Sequence, residues 1–114
     1  QNYRASLLKD YDNAQLFSYY DFASSVIGYA SLPGMCLSSS SGGIEQTTYD
    51  DEYNGNIVAH EMGHNFDMKH DGSAGGNSCD QSAYIMASVG SPYGTRPNSF
   101  SSCSVGYCSS FFSN

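Results

Sequence analysis

The sequence predicts a small α+β domain, in which a short mixed sheet is followed by a central helix and a C-terminal helix. Three observations predict it. Runs rich in aromatic and branched residues at 14–22, 26–30 and 44–49 have the character of strands. A segment over about 54–66 carries two histidines at helical spacing, and an apolar stretch behind a serine closes the chain. At 114 residues the chain is one domain, 1–114, able to bury a core but helped by covalent staples.

The elements follow in order. Residues 1–10 set Leu7 and Leu8 among polar neighbours, as in the tail of a helix. Leu16, Phe17, Tyr19, Tyr20 and Phe22 make the first strand, and 26–30 reads as a second, buried one. The Ser- and Gly-rich 37–43 is a loop, and 44–49 is a short third strand. Asn54 or Asn56 is the expected N-cap of the central helix, with Asp50, Asp51 and Glu52 placing negative charge at its positive end. Asp71-Gly72 signals a turn, and 71–83 lacks periodicity. Gly90, Pro92, Gly94 and Pro97 break up 89–98, after which Ser99 or Ser101 caps a last helix running to about Phe112.

The chemistry concentrates in 60–72. Residues four apart on a helix share a face, so His60 and His64 point the same way and can close on one metal ion. Glu61 sits one position round, beside the metal rather than on it, where a carboxylate can take a proton from activated water. His70 reaches the same ion only if the chain turns sharply after Phe66. A bare H-E-x-x-H arises by chance often enough to prove little. Here, however, the chain's only three histidines fall in one eleven-residue window, which core packing or a solvated face does not explain. Three imidazoles with one open position describe a catalytic rather than a structural zinc.

His60-Glu61-x-x-His64 followed by His70 resembles the long zinc signature of the metzincin metalloproteases. Asp71 after the third histidine is similar to the reprolysin (adamalysin) branch, which includes snake-venom metalloproteases and the catalytic domains of ADAM and ADAMTS proteins. Three further stretches resemble the same branch in the same order: 11–16, 27–36 and 100–104. The resemblance implies a partial metzincin catalytic domain and a secreted, extracellular zinc endopeptidase. Its zinc ligands would be His60, His64 and His70, and its general base Glu61. It also implies that Met86, within 84–88, forms a methionine turn beneath the metal; spacing alone makes Met86 an ordinary core residue. Ala87, Ser88 and Val89 would line the substrate pocket. Leu16 and Phe17, if at a sheet edge, would pair with an extended protein or peptide substrate; ordinary sheet packing explains that strand equally well. Asp12 resembles a calcium ligand, making Ca2+ a second implied cation. By the same resemblance Cys36 pairs with Cys108 and Cys79 with Cys103.

Two departures stand out. Asp67 occupies a position where the family pattern has glycine, and an aspartate tolerates the left-handed conformation at a cost of about 1 kcal/mol. The family domain also begins upstream of residue 1, so a separate N-terminal chain or fragment is an implied partner. The rival reading is a non-catalytic metzincin-like fragment or zinc-binding module.

Composition sets outer limits. A formal charge of −7 with only four basic residues argues against nucleic acid and anionic membranes as partners. No apolar run approaches the length of a membrane span. Four cysteines without C-x-x-C spacing suggest disulfides and an oxidising compartment; cysteine ligation of zinc is the alternative, but three histidines already fill the site.

Overall fold

In the computed structural model, which describes residues 11–89 and 96–114, a three-stranded sheet precedes two helices. Strand β1 is Ala14–Ser18, β2 is Gly28–Ala30 and β3 is Gly42–Gln46; helix α1 is Asp51–Asn65 and α2 is Ser102–Ser113, with a 3-10 turn at Gly72–Gly75. The helical tail expected over 1–10 and the stretch 90–95 lie outside the described residues.

The sheet has the order β1-β3-β2, with β1 parallel and β2 antiparallel to β3. Strand alternation divides it into two unlike faces. Leu16, Ile44 and Tyr29 form one row across the three strands on the face away from α1. They are exposed by 61, 39 and 70 % respectively. Gln15, Gly43, Glu45, Gly28 and Ala30 alternate with them, and α1 packs on β3 and β2. The second strand is therefore not the buried one its composition suggested, because its large residue points outward. The first strand is also shorter than 14–22. The Ser18 hydroxyl accepts from the Tyr20 amide, a local turn that competes with continued pairing.

Helix α1 starts earlier than expected. Asp50, rather than Asn54 or Asn56, is the N-cap, its carboxylate accepting from the Tyr53 amide at 3.0 Å. Asn54 instead clips the preceding strand exit: its side chain accepts from Thr48 N and donates to Thr48 O, both at 2.8 Å. At the other end the chain reverses in a Schellman turn. Asp67 N donates to His64 O at 2.9 Å and Met68 N to Gly63 O at 3.0 Å. Asp67 takes the left-handed conformation, φ 66°, that the turn demands.

Of the two serines that could cap α2, Ser101 does so, accepting from Ser104 N. Phe111 and Phe112 on this helix pack their rings on Phe66, and a disulfide joins Cys79 to Cys103. The expected Cys36–Cys108 bridge is not formed. Cys36 is an exposed thiol in the turn after β2, at φ 64°, whereas Cys108 packs on the apolar cluster of Met68, Ile85 and Met86.

Candidate metal centre and active site

The three histidines converge. His60 and His64 project from one face of α1, one turn apart, and the Schellman turn brings His70 back to them. The imidazole centres are 4.8–5.1 Å apart pairwise, and the three potential ligand nitrogens lie within 4.8 Å of one another. His60 Nε2 and His70 Nε2 are 3.1 Å apart. Two nitrogens on a tetrahedral zinc at about 2.0–2.1 Å would stand roughly 3.3 Å apart, so the spacing fits the ion.

Backbone carbonyls set the tautomers. His60 Nδ1 donates to Ile85 O at 2.7 Å and His64 Nδ1 to Met68 O at 2.8 Å. A carbonyl can only accept, so each ring carries its proton on Nδ1 and offers the Nε2 lone pair to a metal. Burial lowers the pKa of all three imidazoles, that of His60 to about 4, which favours the neutral form a metal requires.

The loop bearing His70 is fixed from three sides. Asn77 Nδ2 donates to His70 O at 2.9 Å. Asp71 N donates to Met86 O at 2.8 Å, and the fully buried Asp71 carboxylate accepts from the Ser101 hydroxyl at 2.5 Å. One aspartate thus joins the third histidine to the Met86 turn and to the cap of α2. Met86 is wholly buried, in a turn where Ala87 N donates to Tyr84 O. Its thioether sits so close under α1 that a Cβ on Gly63 would fall 2.6 Å from Sδ.

Glu61 is 4 % exposed, and its carboxylate lies over β2, where a Cβ on Gly28 would fall 2.2 Å from Oε1. Burial first, and then the charge of Glu45, raises its pKa to about 7. Glu61 and all three histidines line a cavity of about 620 Å³. Gly28, Tyr29 and Ala30 form one side of it, and Ala87, Ser88 and Val89 form another.

Leu16 and Phe17 do not line this cavity. Leu16 lies on the outer sheet face, and Phe17 borders a separate shallow depression with Tyr19 and Val58. The strand beside the histidines is β2, because β3 lies between it and β1. Asp12 joins neither of the clusters of potential metal ligands among the described residues, so calcium gains no support. The other such cluster, Asp71 with Cys79 and Cys103, contains the disulfide.

Sequence reading passed over Gly28, Asn77 and Glu45. Only Glu45 had a signal that could have found it, an acid within the strand expected over 44–49.

Comparison with known proteins agrees with this geometry. All of 1–114 matches the model of the reprolysin (M12B) family of zinc metalloproteases. The chain is 39 % identical over 102 residues to mouse (Mus musculus) disintegrin and metalloproteinase domain-containing protein 12, covering 84 % of this chain and 11 % of that protein. It is 36 % identical over 111 residues to human (Homo sapiens) disintegrin and metalloproteinase with thrombospondin motifs 6, covering 89 % and 10 %. It is 38 % identical over 115 aligned residues to the zinc metalloproteinase recombinant fibrinogenase II of Deinagkistrodon acutus, covering 93 % and 44 %. The chain thus spans about a tenth of the first two relatives and under half of the third.

Proposed function

Because the chain belongs to the reprolysin (M12B) family of zinc metalloproteases, we propose that it is the zinc-binding, catalytic part of a secreted endopeptidase. The observation that carries this reading is the convergence of three imidazoles beside one buried carboxylate. The residues fit zinc by number, donor type and spacing. His60, His64 and His70 would hold the ion, which supplies Lewis acidity toward water and a peptide carbonyl.

The remaining work falls to this chain's own groups. Glu61 accepts a proton from water at its carboxylate and passes it to the departing amine. Burial supports both halves of that task, since a carboxylate whose proton affinity is raised to near neutrality can take a proton and return it. Gly28 leaves room for that carboxylate over β2. An extended peptide would lie along β2, with Ala87, Ser88 and Val89 shaping the pocket beside it. The disulfide between Cys79 and Cys103 supports an oxidising, extracellular setting. No helix of the described residues is long and apolar enough to cross a membrane.

The test is Glu61→Gln, which keeps shape and removes the base. Cleavage of a quenched peptide should fall by about 10²–10⁴-fold while zinc stays bound. Cleavage near the original rate with zinc retained would remove Glu61 from its role.

A further inference from the structure

Beneath Glu61, a chain of oriented amides ends on a buried acid that the mechanism above does not use. It begins at Asn65, which is fully buried at the end of α1. Asn65 Nδ2 donates to two backbone carbonyls, Ser31 O at 2.9 Å and Gly42 O at 3.2 Å, and so its amide cannot be reversed. Its Oδ1 must accept, and does, from Asn13 Nδ2 at 2.6 Å. Asn13 Oδ1 then accepts from Gln15 Nε2 at 2.5 Å. The sequence of donors leaves Gln15 Oε1 as the terminal acceptor, buried and without a donor.

The group facing it is another acceptor. Glu45 is 0 % exposed, and neither of its carboxylate oxygens has a hydrogen-bond partner. Gly43 marks where the groups meet. A Cβ there would fall 2.5 Å from Gln15 Oε1, 3.1 Å from Glu45 Oε1 and 3.3 Å from the Cβ of Glu61. Two facing acceptors are mismatched, and an ionised carboxylate buried without a donor is costlier still; such a group neutralises instead. A proton on Glu45 turns the pair into donor and acceptor and completes the chain from α1 through β1 to β3.

We propose that Glu45 is a buried carboxylic acid that keeps its proton up to neutral pH, donates it to Gln15 Oε1, and serves as a positioning residue for Glu61. The positioning half rests on Glu61 being the base. A neutral acid at this point locks β1 and β3 beneath the stem of Glu61; only once ionised does it set a second negative charge there and raise the Glu61 pKa. Glu61 is the ionisable group that neighbours Glu45 from α1; β1 offers the Gln15 amide and β2 sets Gly28 opposite. Burial pushes the Glu45 pKa from 4.5 up to about 7. The folded protein then binds more protons than the unfolded chain between those values. Stability from this group is complete below 4.5 and is lost as pH rises through about 7.

The experiment follows the carbonyl infrared band of protonated carboxyl groups in the zinc-loaded protein between about pH 4 and pH 8, alongside chemical unfolding. The expected result is a band that persists to about pH 6 or above, of which one component is lost in Glu45→Gln and retained in Glu61→Gln, with the pH slope of stability flattened in Glu45→Gln. Glu45→Gln still offers Gln15 a donor, so its cleavage rate should stay within about twofold of the original, while Glu45→Leu lowers kcat about tenfold at similar KM. If Glu45→Leu does not fold, the band and the Glu45→Gln slope decide the matter. A band that titrates near the ordinary carboxyl value, or that follows Glu61 instead, overturns the proposal. So does a bound cation or water facing an ionised Glu45, or a Glu45→Leu enzyme with unchanged kcat. Cleavage surviving in Glu61→Gln would sink the base assignment while leaving the Glu45 band intact, so the two failures are separable.

Discussion

At the scale of single residues, the site depends on atoms that make no contact with a metal. The carbonyls of Ile85 and Met68 direct two imidazole lone pairs, and Asp71 and Asn77 hold the third histidine's loop. Gly28 gives the clearest case. Alanine there would place its Cβ 2.2 Å from Glu61 Oε1 and force the carboxylate aside. Gly28→Ala is predicted to lower kcat by about tenfold or more with zinc content unchanged, as read by peptide cleavage beside metal analysis. The histidines and Glu61 were legible in the sequence because helical periodicity fixes which residues share a face. The Gly28 contact was not, since it depends on which strand ends up beside the helix. The same ignorance of strand order put Leu16 and Phe17 at the substrate, whereas it is β2 that lines the cavity beside the histidines.

At the scale of elements, the reversal after α1 determines whether a third histidine reaches the other two. The Schellman turn needs a left-handed residue, and Asp67 fills the position at φ 66°. Asp67→Gly should therefore stabilise the folded chain by up to about 1 kcal/mol, measured by urea unfolding, because glycine adopts this conformation without strain. A loss of stability would mean that the aspartate side chain makes a compensating contact. The turn could be anticipated because aspartate tolerates this region. The start of α1 was misplaced because Asp50, Asn54 and Asn56 can all cap a helix, and only the clip between Asn54 and Thr48 assigns Asn54 another task. The cysteines illustrate the same limit. All four were paired by resemblance, yet only Cys79 and Cys103 are joined, and pairing depends on packing that residue spacing does not encode.

At the scale of the whole molecule, the histidine cluster is compact while the sheet is open on one side. The row of Leu16, Ile44 and Tyr29 lies uncovered, so the described residues bury little apolar surface outside the methionine cluster and the α1 interface. A crosslink matters more in such a chain. The Cys79–Cys103 bond closes a loop of 24 residues, and its reduction is predicted to cost roughly 3 kcal/mol of stability in denaturant unfolding. An unchanged midpoint would show that the loop after His70 is held by its hydrogen bonds alone. The α+β class was legible from strand-like and helix-like runs, but the exposed outer face was not. Alternation shows that a strand has two sides without showing which one a helix will cover.

Zinc binding by the three histidines is tested most directly by metal analysis of the folded chain combined with X-ray absorption at the zinc edge. One zinc per chain is expected, with three imidazole nitrogens at about 2.0–2.1 Å and loss of the ion in His64→Ala. Well-folded protein that takes up no zinc, or zinc that stays bound with unchanged coordination in His64→Ala, would contradict it.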